Sequence, residues 1–184
     1  MEPAGGLVRD LRSPHRIDGA SRNGRDRQLD NQSPSFGSRR KRGAYGQAIG
    51  RSRGGRTTKI HALTDAQGRP HILLLSPGNA HDVVMAPALV AAAGPVSRLL
   101  ADKAYDTNPL RALLADKTIE PVIPSIRRRR PLIAYDVHAY RQRNVIERMF
   151  CRLKDFRRIA TRYDKLARNF LAGVILAATL IWWT

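Results

Sequence analysis

From Thr57 onward the polar and apolar positions settle into two periods. Thr57-Thr-Lys-Ile-His-Ala-Leu-Thr64 alternates and is rich in β-branched residues, which predicts a strand. Asp65-Ala-Gln-Gly68 predicts a turn and His71–Ser76 a second strand, so the two form a hairpin that Pro77-Gly78-Asn79 ends. Val83–Ala93 is rich in Ala, Val and Leu and predicts a helix capped by Asp82, with Gly94-Pro95 as its stop. Ser97–Ala101 is a short apolar strand that ends on Asp102. Asn108 as cap and Pro109 at the first position open a helix to Lys117. Ile119–Pro124 is a further strand, its prolines suited to a sheet edge. Tyr140–Lys154 predicts one amphipathic helix with Val145, Ile146, Met149, Phe150 and Leu153 on one face, joined there by Phe156. Last comes Asn169–Thr184, almost wholly apolar. A membrane span needs about 20 apolar residues, and this run is short of that, so a buried terminal helix is expected, with Trp182 and Trp183 as core anchors or a dimer surface. Strands and helices in this order make an α/β fold, a mixed sheet flanked by helices.

Residues 1–56 have no sustained period. They are dense in Arg, Gly, Ser, Asp and Asn, and that composition buries too little surface to offset chain entropy. A basic, largely disordered segment is therefore expected over 1–56 and a folded domain over 57–184, with one strand near 29–33 as an exception.

Charge sharpens the division. The chain carries +18 in 184 residues, but unevenly. Residues 1–59 hold 14 Lys/Arg against 5 Asp/Glu, residues 60–124 hold 5 against 6, and residues 125–184 hold 14 against 4. A near-neutral centre between basic flanks suggests a packed core with a polyanion held at its edges. Nucleic acid fits the predominance of Arg, whose planar fork matches phosphate; a membrane surface is the competing polyanion. Arg39-Arg-Lys-Arg42 and Gly50-Arg-Ser-Arg-Gly-Gly-Arg56 read either as phosphate-binding arms or as a non-specific basic tail. The single cysteine, Cys151, forms no internal disulfide and is expected to be a half-buried structural thiol. No apolar run follows the N-terminal charges, so no secretory signal is read and the cytoplasm is expected.

Candidate chemistry lies in the acidic residues. Tyr140, Arg143, Glu147 and Lys154 gather within about 60° of helical arc, a stripe with one carboxylate between cations. By spacing alone this is either a solvated face or a site. Asp102, at a strand end, can meet Glu147 on a helix that crosses back over the sheet. Converging carboxylates are hard oxygen donors that suit Mg²⁺, and phosphoryl transfer uses such ions in pairs. His61, His71 and His81 match no zinc spacing. Asp106 is expected to serve a turn or cap.

The spacing Tyr140-x2-Arg143-x3-Glu147-x6-Lys154 resembles the tyrosine-arginine-glutamate-lysine signature of bacterial insertion-sequence DDE transposases, in the group named after insertion sequence five. Gly50-Arg-Ser-Arg-Gly-Gly-Arg-Thr-Thr-Lys-Ile-His-Ala62, Pro77-Gly-Asn-Ala-His-Asp82, Ala101-Asp-Lys-Ala-Tyr-Asp106 and Ala160-Thr-Arg-Tyr-Asp-Lys-Leu-Ala167 agree with it in order. The resemblance implies a ribonuclease-H-like fold and three metal-binding catalytic carboxylates. The second and third carry over to Asp102 and Glu147. The first sits on a strand upstream of the Gly50–Arg56 motif; Leu29-Asp30-Asn31 fits it best, and Asp18-Gly19 is the poorer alternative. The expected metal ligands are thus Asp30, Asp102 and Glu147, with Mg²⁺ or Mn²⁺ bound. Tyr140, Arg143, Lys154, Arg51, Arg53, Arg56, Lys59, His81 and Asp82 are the expected accessory and DNA-binding residues. The implied activity is metal-dependent cleavage and strand transfer at transposon ends. The implied partners are terminal inverted repeats and target DNA, met as a homodimer without a membrane. Pro34 disfavours a central strand after Asp30, and the family's N-terminal helical region has no counterpart in 1–42. The alternative expectation is therefore a truncated DNA-binding remnant without chemistry.

Overall fold

A ten-residue strand, Gly55–Thr64 (β3), lies at the centre of the described structure and is buried on both faces from Thr57 onward, with only Lys59 partly exposed. The structure is a computed structural model that describes residues 15–19, 43–52 and 55–184. Asp30, Arg53, residues 29–33 and Arg39–Arg42 lie outside the described residues.

The other strands are His15–Gly19 (β1), Gly50–Ser52 (β2), Pro70–Pro77 (β4), Arg98–Ala101 (β5) and Glu120–Val122 (β6). Across the sheet they run β4-β3-β1-β5-β6, with β2 pairing the N-terminal end of β3. β3 is antiparallel to β4, β1 and β2, whereas β1, β5 and β6 are mutually parallel. The mixed sheet is thus as expected; the strand expected near 29–33 lies outside the described residues, and the first described strand lies further upstream. It is His15–Gly19, inserted between β3 and β5 with Ile17 opposite Leu63 on one side and Ala101 on the other. The segment before Thr57 also contributes β2 and a 3₁₀ turn, Ala44–Gln47, so order reaches further upstream than composition alone suggested.

The pleat sorts β3 and β5 between two helical layers. Leu63, Leu99 and Ala101 pack with Ala86–Ala92 (α1) and Asn108–Asp116 (α2), through Leu89, Val90, Leu110 and Leu114. Ile60 and Ala62 face the other way. They pack with Asn144–Lys154 (α4), Arg157–Ala160 (α5) and Ala167–Trp182 (α6), through Ile146, Met149, Leu153, Phe170 and Val174. Leu100 shares that second face and meets Ala139 of Val137–Arg141 (α3). Each fully buried aliphatic or aromatic side chain contributes about 1.5–3 kcal/mol, so these interleaved sets hold the layers together.

Five local expectations are corrected. The long helix from Tyr140 is two helices, α3 and α4. At the join Gln142, Arg143, Val145 and Ile146 donate to carbonyls three residues back, a tightened turn in place of continuous α-helix. Phe156 lies past the end of α4 and is exposed. Asp82 does not cap its helix: the N-cap of the 3₁₀ turn Asp82–Met85 is His81, and the Asp82 carboxylate bonds Lys59 instead. Asn108 is the first residue of α2, after Thr107, and its Oδ1 accepts from Arg129. Cys151 is exposed, because α4 turns it away from the Ile146–Met149–Leu153 stripe. The terminal helix packs as expected through Phe170 and Val174. Trp182 joins the core, while Trp183 lies outside it with Arg69 over its ring and His71 edge-on.

Candidate active site

β1 and β5 run parallel and end at the same edge of the sheet, and the polar residues gather there. Asp102 follows the last residue of β5 in extended backbone and caps the 3₁₀ turn Lys103–Tyr105; its Oδ1 accepts from the Ala104 amide at 2.7 Å. Burial pushes its carboxyl above the usual range. The Ala104 amide and the Arg143 guanidinium work against that, and the nearby Asp82 charge adds to it.

Arg143, at the join of α3 and α4, donates through Nη2 to Glu147 Oε1 at 2.7 Å, one helical turn along. The tightened turn matters here because it orients Arg143 toward three groups at once. Besides Glu147 and the Asp102 charge, its guanidinium lies 5.6 Å from the Tyr140 ring centre. Tyr140 is also edge-on to Tyr135, with centroids 5.5 Å apart. Burial raises the Tyr140 phenol above its ordinary value, Arg143 lowers it, and Asp102 raises it further. Asp102, Tyr140, Arg143 and Glu147 therefore form one electrostatic group, although their sequence positions span 45 residues.

A second ion pair borders this group. Lys59 Nζ bonds Asp82 Oδ1 at 2.8 Å and the Ala80 carbonyl at 2.8 Å. Beneath it His61 is fully buried, with Nε2 2.6 Å from Ser76 Oγ. Burial lowers its pKa to about 4, Asp82 acting to raise it and Lys59 to lower it, so the imidazole is neutral at neutral pH. Pro77-Gly78-Asn79 leads into this pair. A side chain on Gly78 would run into Thr57 of β3, whose carbonyl accepts the Gly78 amide at 3.0 Å, so the turn requires glycine.

Of the remaining expected residues, Arg51 and Arg56 face each other across the β2–β3 pair. β3 overshoots the ends of β1 and β5, and this basic hairpin projects from the same sheet edge as Asp102. Lys154 is the last residue of α4, two turns beyond Glu147, and His81 is exposed at its turn. Neither joins the central group. Among the described residues no set of three or more His, Cys, Asp or Glu is arranged to hold a metal ion. No described helix is long and apolar enough to cross a membrane.

Two residues have larger roles here than sequence reasoning assigned. Asp106 is buried and accepts from Arg111 Nε at 2.7 Å, Arg129 Nε at 2.7 Å and the Ile126 amide at 2.8 Å. It clamps the basic loop before α3 onto the turn that carries Asp102. Arg162 is fully buried and donates to the carbonyls of Gln47, Ala48, Asp164 and Lys165 and to Thr58 Oγ1. It ties the base of the basic hairpin to the segment between α5 and α6. A signal for both was available: each is a charged residue inside a motif quoted above.

Residues 17–182 match the family described as the transposase DDE domain. The chain belongs to the DDE transposase family. The matched span opens on Ile17, inside β1. One relative, "Putative transposase for insertion sequence element IS6501" of Brucella ovis, is 37% identical over 129 residues, covering 68% of this chain and 98% of that protein. Another, "Putative transposase for insertion sequence element IS402" of Burkholderia cepacia, is 33% identical over 137 residues, covering 68% of this chain but only 63% of the relative. Within this DDE domain, Asp102 and Glu147 occupy the strand-end and packed-helix positions described above.

Proposed function

We propose that this DDE transposase domain cuts DNA at the ends of an insertion sequence and joins them to target DNA, with a ribonuclease-H-like sheet as scaffold. Asp102, Glu147 and Asp18 are its three carboxylates. The observation that carries this reading is the parallel pairing of β1 with β5, Ile17 opposite Ala101. Position 18 then stands one residue on, beside position 102, at the sheet edge where Arg143 holds Glu147. In the β1–β3 register position 18 is opposite Ala62, which faces α4, the helix of Glu147. Asp18 replaces Asp30 in this reading because a carboxylate on a central strand has rigid support.

The donor set fits a hard divalent cation such as Mg²⁺ or Mn²⁺. It offers carboxylate oxygens without thiolate or imidazole, and Asp102 already has its carboxyl raised by burial and by Asp82, a charge deficit that a cation relieves. Asp18, Asp102 and Glu147 would hold it. When bound, such an ion supplies Lewis-acid stabilisation of the phosphate and lowers the pKa of attacking water. The chain's own contribution is positional. Arg143 orients Glu147, the Ala104 amide orients Asp102, and Tyr140 stands against Arg143 at the rim. The cations of the β2–β3 hairpin and the Arg127–Arg130 loop neutralise DNA phosphates, with two copies acting on paired ends. Water attacks the phosphorus at the element end and the bond to the departing 3′-oxygen breaks. That oxygen takes a proton and leaves as a 3′-hydroxyl, which then attacks a target phosphodiester, forming a new phosphorus–oxygen bond while the target's own bond to its 3′-oxygen breaks and a target 3′-hydroxyl is released.

Full-length protein incubated with an element-end duplex and Mg²⁺ or Mn²⁺ tests this. Nicking is expected, lost in Asp102→Asn, Glu147→Gln and Asp18→Asn, and kept in Asp30→Asn. DNA binding with no nicking under either ion would leave a binding remnant and overturn the proposal; loss confined to Asp30→Asn would restore Asp30 as the first carboxylate.

A further inference from the structure

We propose that Lys59 and Asp82 are a charge-balancing pair that positions the Asp102 carboxylate electrostatically and sets how strongly this edge of the sheet attracts a divalent cation. The inference rests on the function proposed above and adds two positioning residues to it.

Lys59 was expected to contact DNA, but its ammonium is turned inward. It is held by Asp82 and the Ala80 carbonyl, with side-chain exposures of 17% for Lys59 and 8% for Asp82. Nor does Asp82 cap its own turn: His81 holds the N-cap position, and the Asp82 carboxylate is bonded to Lys59. That turn packs against both β1 and the Lys103–Tyr105 turn, the two segments that flank the candidate carboxylates. The turn that carries Asp82 therefore lies against the turn that Asp102 caps, and the Arg143 cation and the Asp82 anion both act on Asp102. A buried ion pair is weak evidence of stabilisation, because apolar groups of the same volume often serve as well. The arrangement makes sense as control of local potential: the Asp82 charge favours a cation at Asp102, and Lys59 limits that attraction while keeping a buried carboxylate paired.

The two charges predict opposite effects, which a purely structural pair does not. Mn²⁺ is titrated into the full-length chain and free ion is read by electron paramagnetic resonance, with Asp102→Asn as the control that identifies the site. Asp82→Asn leaves Lys59 uncompensated and is expected to weaken Mn²⁺ binding by about tenfold; Lys59→Met leaves Asp82 uncompensated and is expected to tighten it by about tenfold. The double variant removes both charges and is expected to bind within about twofold of wild type. If Lys59→Met fails to fold, the weakening in Asp82→Asn and its recovery in the double variant decide the matter. Weakening in both single variants, unchanged affinity in folded variants, or a double variant as weak as Asp82→Asn would each overturn the pair's role. Wild-type protein that binds no Mn²⁺ at Asp102 would remove the proposed function itself, and this inference with it. Wild type that binds and nicks, with variants unchanged, would remove the inference alone.

Discussion

Asp106→Ala should be among the most destabilising single changes in this domain. The side chain is fully buried, and each of its oxygens is used: Oδ1 by Arg111, Oδ2 by Arg129 and by the Ile126 amide. Truncation leaves two guanidiniums, with side-chain exposures of only 12% and 16%, without their counter-charge. Breaking a buried pair from one side costs about 3–5 kcal/mol. The orphaned Ile126 amide adds about 1–3 kcal/mol. Relaxation offsets part of this, because Arg129 sits on an exposed loop and keeps its bond to Asn108. A net loss of about 4 kcal/mol follows, a large share of the roughly 5–15 kcal/mol that holds a domain together. At 2–4 °C per kcal/mol the melting temperature should drop by about 8–16 °C. Asp106→Asn keeps an acceptor for the amide and for one guanidinium, so its cost should be about half as large. Urea unfolding followed by Trp182 and Trp183 emission measures both. pH supplies a second check. Burial alone would raise the Asp106 carboxyl, but the Ile126 amide and the two guanidiniums outweigh it and hold the group below its ordinary 3.8. The stabilisation is then fully present above pH 3.8 and is lost as pH falls through the native value, so wild type and Asp106→Ala should converge in acid. Asp106→Ala within about 1 kcal/mol of wild type at neutral pH, or Asp106→Asn as damaging as Asp106→Ala, would refute the reasoning.

Three further outcomes are expected. With His61 held near 4 in the native chain and 6.5 in the unfolded one, the unfolded state alone takes up a proton between those values. Stability should fall by about 3 kcal/mol as pH drops from 6.5 to 4, and His61→Gln should flatten melting temperature against pH over that window; an unchanged slope would rule His61 out. Arg162→Lys replaces a fork that reaches five acceptors with one ammonium, and should cost about 2–4 kcal/mol while speeding amide hydrogen exchange around Gln47–Gly50 and Thr58. Exchange as slow as in wild type would show that the hairpin base is held otherwise. DNA affinity should fall with salt at a slope of about −0.9 per phosphate contacted, and Arg51→Ala with Arg56→Ala should reduce the slope by about 2 while weakening all sequences alike. A sequence-selective loss would mean that these arginines read bases.

Much of the scaffold was legible from local pattern. The β3–β4 hairpin follows from alternation on either side of Asp65-Ala-Gln-Gly68. There the Asp65 carboxylate accepts the Gln67 and Arg69 amides, and Gly68 takes φ +84°, a conformation that favours glycine. The apolar stripe of α4 was read correctly at Ile146, Met149 and Leu153 because helix burial depends on neighbours three and four residues apart. The same reasoning failed at Gln142-Arg143, where every residue is a sound helix former and only the approach of Arg143 to Asp102 and Glu147 accompanies the tightened turn. It also passed over β1. His15–Gly19 is too short for its alternation to stand out from a polar background, and its place comes from two ladders made by residues far along the chain.

The sequence by itself determined the layered α/β order, the basic flanks around a near-neutral centre, and the residue types at the Asp102 and Glu147 positions. Those properties depend on composition and on contacts within a turn or two. Tertiary structure alone decided the partners. Asp82 answers Lys59 across 23 residues instead of its own helix, Asp106 gathers Arg111 and Arg129, and Arg162 bonds a carbonyl 115 residues away. A buried charge has to find its counter-charge or acceptors wherever packing brings them, because leaving it unpaired costs more than any local propensity returns. Periodicity carries no information about that choice, since it is made by whichever elements the sheet has already brought to the same edge.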